Sequence, residues 1–208
     1  YGSTAFTQQA AKLSDEEIND YIEQSKQMVK YLDGTLNFLG DPNQVPSEKD
    51  IIINQSYLKM FQSEETQVED DLDPRREMAM NKDVQAYLKD VDFFFKQVTF
   101  NFDITKVEQL VNENGQVYFK VTMSRNLNGI TIDNDTLNNN LVRYIEINLD
   151  QVQKDLKIAS MYTTTPNQRQ ELNYWWVHMS DSWKGFFGDS IFIYHAHADS
   201  INDSVVSV

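Results

Sequence analysis

Four carboxylates within residues 69–73 are the residue types that proton transfer or metal binding would require. The run is Glu69, Asp70, Asp71 and Asp73, and it is followed by Pro74, Arg75 and Arg76. If the segment is a strand, its side chains alternate between two faces, which groups Asp70 with Val68 and Leu72. A carboxylate among apolar side chains is suited to remove a proton, so Asp70 is a candidate general base.

A simpler interpretation of the same run is structural. The carboxylates would end a strand, cap the following turn and pair with Arg75 and Arg76 at the surface. We favour this interpretation over the catalytic one. A divalent-metal site is not expected, because Asp70 and Asp71 would point to opposite faces of a strand and could not converge on one ion.

Arg125 and Arg143 each lie in a strand-like stretch, and the stretch around Arg143 is VRYIEIN, residues 142–148. Alternation along a strand places Arg143 on the same face as Ile145 and Ile147. An arginine among isoleucines indicates either a buried ion pair with one of the acidic strand residues or an anchor for an anionic ligand. We predict the ion pair first and keep Arg143 as a candidate binding residue.

The most aromatic segment is ELNYWWVHMSDSWKGFF, residues 171–187. With helical spacing, its aromatic residues span too wide an arc to be buried against one face of a sheet. Trp175, Trp176 and Trp183 are therefore candidates for an exposed surface that binds a protein, a peptide or a carbohydrate. The alternative is that this helix covers the sheet.

His195 and His197 would lie on one face of an extended segment, together with Asp199. Such a pair could contribute to a zinc or nickel site, but a complete site needs further ligands and a supporting shell. We predict neither a metal site nor a cofactor.

The order of secondary structure follows from the periodicity of apolar residues. A long first helix is predicted over residues 14–39, with Ser14 and Glu17 forming a capping box. A second helix is predicted from Ser47 to Phe61, and a third over residues 84–95. Four predicted strands then follow: QVTFNFDI, QVYFKVTMSR, LVRYIEINLD and LKIASMYTT. The stretches between them, including NLNGITIDNDTLNNN, are predicted turns, so the strands would form an antiparallel meander.

A last helix is predicted from Pro166 to Gly188, after which the helical period ends. The predicted organisation is an N-terminal arm at 1–13, one domain at 14–188, and a tail or linker to a following module at 189–208. Three helices packed on one face of a strongly curved antiparallel sheet, with an extra C-terminal helix, constitute an α+β fold.

The acidic composition excludes some partners. The chain has 18 Lys and Arg against 32 Asp and Glu, a net charge of −14, so we predict no binding to nucleic acid. No apolar run reaches the roughly 20 residues that span a bilayer, so membrane insertion is not expected. Three Asp-Ser-apolar triplets after residue 188 resemble bacterial O-glycosylation acceptors. They favour an exported protein, periplasmic or extracellular.

The element order resembles the nuclear transport factor 2-like superfamily, the cone-shaped fold shared with SnoaL-like cyclases and ketosteroid isomerases. The resemblance covers roughly residues 14–163. It is carried by the long first helix, the TQVEDDLDP strand, the VQAYLKDVDFFF helix, and the RYIEINLD and LKIASMYT strands. The predicted helix with three tryptophans departs from the minimal pattern of the family.

The resemblance implies a cavity inside the cone, where Asp70 could act as the base of an isomerase, dehydratase or cyclase. Such an enzyme would also need a tyrosine or a histidine near the base, and the candidates are Tyr87 and His178. Other tyrosines are available and no spacing selects one of them. His178, beside Trp176, is more simply a residue of a helix surface.

We predict a non-catalytic module that binds a small molecule, a glycan or a protein, within a larger exported bacterial protein. The alternative is the small-molecule enzyme with Asp70 as its base. A homodimer formed through the sheet is a further expectation. An enclosed cavity in which Asp70 and a tyrosine or histidine converge would favour the enzyme. An interior filled by side chains, with the acidic run outside, would favour the module.

Overall fold

The first helix begins and ends as its sequence predicts. The computed structural model describes residues 13–74 and 80–163, and α1 spans Asp15–Gly40. The Ser14 hydroxyl accepts a hydrogen bond from the Glu17 amide, and the Glu17 carboxylate accepts one from the Ser14 amide, which completes the capping box. The apolar stripe that packs on the sheet consists of Tyr21, Val29, Leu32, Leu36 and Leu39.

The second helix is shorter than predicted. Helix α2 spans Pro46–Asn54, and a separate 3₁₀ turn covers Ser56–Lys59, so the prediction of one helix from Ser47 to Phe61 is wrong. The helix ends because Gln55 leaves the helical region, with φ −142°. Phe61 forms a bridge with Ile158.

Helix α3 spans Val84–Phe94 and passes directly into a strand at Phe95. The predicted helical stripe included Phe95, which is instead the first residue of that strand. Helix α3 buries Val84, Tyr87, Leu88 and Val91 on one face. The third helix therefore presents the apolar side that the sequence predicts.

Six strands form one sheet in the described residues. They are β1 Gln67–Glu69, β2 Asn81–Asp83, β3 Phe95–Val111, β4 Val117–Thr131, β5 Thr136–Asp150 and β6 Asp155–Tyr162. Their order in the sheet is β2-β1-β6-β5-β4-β3, and neighbouring strands are antiparallel except β1 and β6. The predicted meander corresponds to β3 to β6, whereas β2 was not predicted.

The turn predicted over residues 126–140 is wrong, because most of this stretch is strand. Strands β4 and β5 continue through it, with Asn126 opposite Asn140 and Asn128 opposite Asn138, and only residues 132–135 connect them. Asparagine has a low strand propensity, but the paired backbones satisfy each other's hydrogen bonds across the two strands. Pairing with a long neighbour therefore decides the local structure.

The helices pack against one face of the sheet, as the α+β prediction requires. The sheet is strongly curved and is not closed. Register shifts on β3 between Phe95 and Gln97 and between Ile104 and Lys106 bend it locally. The inward residues of β4 and β5 are buried in the apolar core, among them Phe119, Met123 and Ile145.

Several predictions lie outside the described residues. They include the helix from Pro166 to Gly188, the tail at 189–208 with its two histidines, and most of the arm at 1–13. In the part of the chain that the structure describes, no helix is both long and apolar enough to cross a membrane.

Candidate functional site

Asp71 is the centre of a buried polar cluster. Its Oδ2 accepts hydrogen bonds from Arg125 Nε at 3.0 Å and from Arg143 Nη1, and its Oδ1 accepts one from the Tyr87 hydroxyl at 3.0 Å. Arg143 Nη1 also donates to the Tyr87 hydroxyl oxygen, 3.0 Å away. Neither arginine has any exposed surface, and Tyr87 is 1% exposed. We call Asp71, Tyr87, Arg125 and Arg143 the Asp71 cluster.

Strand register explains why these side chains meet. Arg125 and Arg143 occupy inward positions of β4 and β5, where Arg143 lies opposite Met123. Strand β6 ends at Tyr162, which lies opposite Tyr144, so Arg143 is one residue beyond the end of β6. The segment that follows β1 can therefore reach Arg143, and Asp71 lies in this segment.

Two further contacts hold that segment in place. Arg125 Nη2 donates to the backbone oxygen of Asp71 at 3.0 Å, and Arg143 Nη2 donates to the backbone oxygen of Glu69 at 3.3 Å. The Arg143 guanidinium also lies over the Tyr87 ring, 5.1 Å from its centre. The arginines thus position backbone as well as the Asp71 carboxylate.

The electrostatics of the cluster favour an ionised Asp71. Burial alone would raise the pKa of Asp71, but the charges of Arg143 and Arg125 and the hydrogen bond from Tyr87 outweigh it, so the pKa lies below its usual value. Burial also raises the pKa of the Tyr87 hydroxyl. The cluster therefore contains one carboxylate, two guanidinium groups and a neutral phenol.

The arginines are not fully hydrogen-bonded within the described residues. Arg125 Nη1 and Arg143 Nε are buried and have no hydrogen-bond partner. By contrast, both Asp71 oxygens and the Tyr87 hydroxyl already have partners. The groups that a proton-transfer reaction would use are therefore engaged in holding the cluster together.

Asp70 has a different environment from Asp71. Lys82 Nζ lies 2.5 Å from Asp70 Oδ2 and also pairs with Asp90. Burial would lower the pKa of Lys82, but its hydrogen bonds to Asp70 and Asp90 outweigh this and raise it. Asp70 and Lys82 line a depression of about 210 Å³, together with Leu72, Asp73, Asp90 and Phe94.

The predicted surface location of the acidic run is wrong. Glu69, Asp70 and Asp71 are 7%, 6% and 7% exposed. Strand alternation no longer applies to the residues that follow, because β1 ends at Glu69. The Glu69 carboxylate accepts hydrogen bonds from the Thr163 amide at 2.7 Å and from its hydroxyl. The predicted partners Arg75 and Arg76 lie outside the described residues.

The structure brings together two of the residues that the sequence selected. Tyr87 and Arg143 belong to the Asp71 cluster, and the buried ion pair predicted for Arg143 is present, with Asp71 as its partner. Asp70 is near the cluster in sequence but pairs with Lys82. The remaining selected residues lie outside the described residues: Trp175, Trp176, His178 and Trp183.

Sequence reasoning placed Arg125 in a strand-like stretch without giving it a separate role. It assigned no role to Asp71 beyond the acidic run, and none to Lys82. A signal for Arg125 exists, since it continues the inward alternation of Phe119, Val121 and Met123. A charged residue in such a series predicts a buried partner. No comparable local signal identifies Lys82.

Histidine and acidic side chains are the groups that could hold a metal ion in this part of the chain. Within 13–74 and 80–163, no group of three or more histidine or acidic side chains is arranged to bind a metal ion. The carboxylates of the acidic run are instead paired with arginine, lysine and threonine.

Helices on one face of a strongly curved, open sheet fit the cone-like architecture that the sequence resembles. This architecture fits the cone-like fold of the nuclear transport factor 2-like superfamily. Solved structures similar to this chain include a nuclear transport factor 2-like superfamily protein from Salmonella enterica serovar Typhimurium. That protein has a TM-score of 0.49 and 11% identity, over 72% of this chain and 93% of its own.

Two further solved structures are similar to the chain. A scytalone dehydratase-like protein from Novosphingobium aromaticivorans has a TM-score of 0.46 and 10% identity, over 73% of this chain and 89% of its own. An uncharacterised protein with a cystatin-like fold from Caulobacter vibrioides has a TM-score of 0.43 and 10% identity, over 76% and 97%. No family model matches the sequence, and no curated protein matches it. The likeness concerns the fold alone.

Proposed function

We propose that this chain is a non-catalytic binding module that recognises its ligand or partner at its outer surface. The observation that carries the proposal is the Asp71 cluster, in which the carboxylate and the Tyr87 hydroxyl are buried and bonded to each other and to two arginines. Polar groups at this position could have faced a substrate. Here they hold α3, β4, β5 and the segment after β1 together.

The surrounding interior supports the same function. The inward side chains of β4 and β5 pack against α1 and α3 in one apolar core, including Phe119, Val121 and Ile147. No member of the Asp71 cluster lines either of the two depressions that we describe. Close packing of buried apolar side chains stabilises the fold.

The enzyme alternative rests on one observation, that Asp70 lines the depression of about 210 Å³. This volume is below the roughly 300–1,000 Å³ of common small-molecule sites. Acting as a base would also require Asp70 to give up its ion pair with Lys82. We therefore rank this alternative second.

The ring opening of 5-nitrobenzisoxazole tests whether the chain is a binding module or an enzyme. This reaction begins with the abstraction of a proton, which a carboxylate in an apolar pocket accelerates. We expect the ring to open at the rate of buffer alone in the presence of the parent chain, of Asp70→Asn or of the control Asp103→Asn, an exposed aspartate of β3 outside the depression. An acceleration by the parent that Asp70→Asn loses and Asp103→Asn keeps would overturn the proposal.

A binding measurement gives the positive side of the test. The parent and Asp70→Asn should bind the same members of a glycan array and of peptide libraries, because Asp70 has no role in recognition. The tryptophan surface predicted at Trp175, Trp176 and Trp183 stays a prediction. Alanine variants at these positions can be measured on the same arrays.

A further inference from the structure

A depression of about 540 Å³ lies at one end of the sheet, where the β3–β4 turn and the β5–β6 turn approach each other. Its volume falls within the roughly 300–1,000 Å³ of common ligand sites. Six of its lining residues carry side-chain amides: Gln62, Asn114, Gln116, Asn148, Gln151 and Gln153. We call this depression the amide groove.

We infer that the amide groove binds a neutral, polyhydroxylated ligand, an oligosaccharide. This inference rests on the proposed binding function and names the ligand class. Each side-chain amide presents both a donor and an acceptor, which matches the paired hydroxyl groups of a sugar. Six amides around one depression provide such pairs in several directions.

Part of this hydrogen-bonding capacity is unused within the described residues. Asn148 Nδ2 donates to Gln62 Oε1 at 2.9 Å, which leaves the Gln62 nitrogen and the Asn148 oxygen for other partners. The Gln151 side-chain nitrogen is buried and has no partner. A buried donor without a partner is costly, so a ligand that drew the Gln151 side chain into the groove would supply a hydrogen bond that the free chain lacks.

The walls of the groove are held in place by their own turns. Asn112 Oδ1 accepts hydrogen bonds from the amides of Asn114 and Gln116, each at 3.0 Å, and Gly115 adopts φ 79°. In the other turn, Asp150 Oδ1 accepts hydrogen bonds from the amides of Val152 and Gln153, each at 2.9 Å. A site that is formed before binding loses less conformational entropy when the ligand arrives.

The charges of the groove disfavour an anionic ligand. Among the described residues that line it, the one cation is Lys157, which donates to the backbone oxygens of Leu58 and Lys59 and lies 3.6 Å from Asp155. Asp150 and Asp155 add two negative charges to the lining. A phosphate or an acidic sugar would therefore meet repulsion without a cation that is available to bind it.

The location of the groove disfavours an extended peptide. Peptides commonly bind by adding a strand to an exposed sheet edge. The edges of this sheet are β2 and β3, whereas the groove is formed by turns at the ends of strands.

A glycan array that carries neutral and acidic oligosaccharides first selects ligands of the parent. Calorimetric titration with the selected oligosaccharides then tests the inference. We expect neutral oligosaccharides to be retained. Gln151→Ala should weaken binding about 2- to 13-fold and the double variant Gln116→Ala/Gln153→Ala about 5- to 160-fold, since each lost hydrogen bond costs roughly 0.5–1.5 kcal/mol. Gln116 and Gln153 are exposed, so the double variant should fold as the parent does. Asn126→Ala, on β4 outside the groove, is the matched control and should bind as the parent does.

Three results would overturn the inference: retention of acidic glycans or peptides only, no retained glycan, or groove variants that bind a neutral glycan as tightly as the parent. Glycan binding that the groove variants do not change would leave the proposed binding function intact and remove only the site. Asp70-dependent opening of 5-nitrobenzisoxazole would instead contradict the proposed function itself.

Discussion

The Tyr87 hydroxyl donates a hydrogen bond to Asp71 Oδ1 across 3.0 Å of buried space. This bond joins α3 to the segment that follows β1, and the same carboxylate accepts hydrogen bonds from Arg125 on β4 and Arg143 on β5. One side chain therefore connects the helical layer to two central strands of the sheet. Removing its charge should affect the stability of the whole fold.

Asp71→Asn should lower the free energy of unfolding by about 3–5 kcal/mol, because two buried guanidinium groups would lose their counter-charge. Urea unfolding followed by circular dichroism measures the change. Asp103→Asn, an exposed aspartate of β3, is the matched control and should change stability by less than about 0.5 kcal/mol. Equal stability of Asp71→Asn and the parent would show that the cluster does not hold these elements together.

Local periodicity predicted the parts of the fold that depend on local sequence. The capping box of Ser14 and Glu17, the buried face of α1 and the inward alternation of Arg143 with Ile145 were all readable in this way. Each depends on contacts or spacing within a few residues. These features are confirmed.

The partners of the acidic run could not be predicted by the same reasoning. Asp71 is 54 residues from Arg125 and 72 from Arg143, so their contact depends on how β1, β5 and β6 are ordered in the sheet. Strand β1 has three residues, and alternation extended past its end assigned Asp71 to the wrong environment. The asparagine-rich end of β4 and β5 was missed for a related reason, since pairing between distant strands outweighed local propensity.

Calcium or magnesium should bind to the acidic run no more tightly than millimolar, because its carboxylates already have partners. Asp71 accepts from two arginines, Asp70 pairs with Lys82, and Glu69 accepts from Thr163. A divalent ion would have to displace these groups before it could gather oxygen ligands. Calorimetric titration measures this directly. Micromolar binding that Asp71→Asn abolishes would contradict the assignment of a structural role.

Two glycines of α1 should respond in opposite directions to alanine. A Cβ on Gly40 would lie 2.5 Å from Val98 Cγ1, so Gly40→Ala should destabilise the contact between α1 and β3. Gly34 is exposed and has open space around the same position, so Gly34→Ala should stabilise the helix by about 0.5–1 kcal/mol. Thermal melting of the two variants compares the same substitution within one helix. Similar melting temperatures would mean that α1 does not end against Val98.

Asp33 should make the fold less stable as the pH rises from about 4 to about 6. Burial raises the pKa of this α1 carboxyl to about 6, although the Phe102 amide, which donates to it, opposes the shift. Over this interval the folded chain holds a proton that the unfolded chain has released, so unfolding becomes more favourable as the pH increases. The lowered pKa of Asp71 acts in the opposite sense, since the stability that it provides is lost as the pH falls below about 4.

Asp33→Asn should flatten the curve of unfolding free energy between pH 4 and 6, whereas Asp20→Asn, an exposed aspartate of α1, controls for the loss of a charge. A slope that persists unchanged in Asp33→Asn would assign it to another carboxyl group.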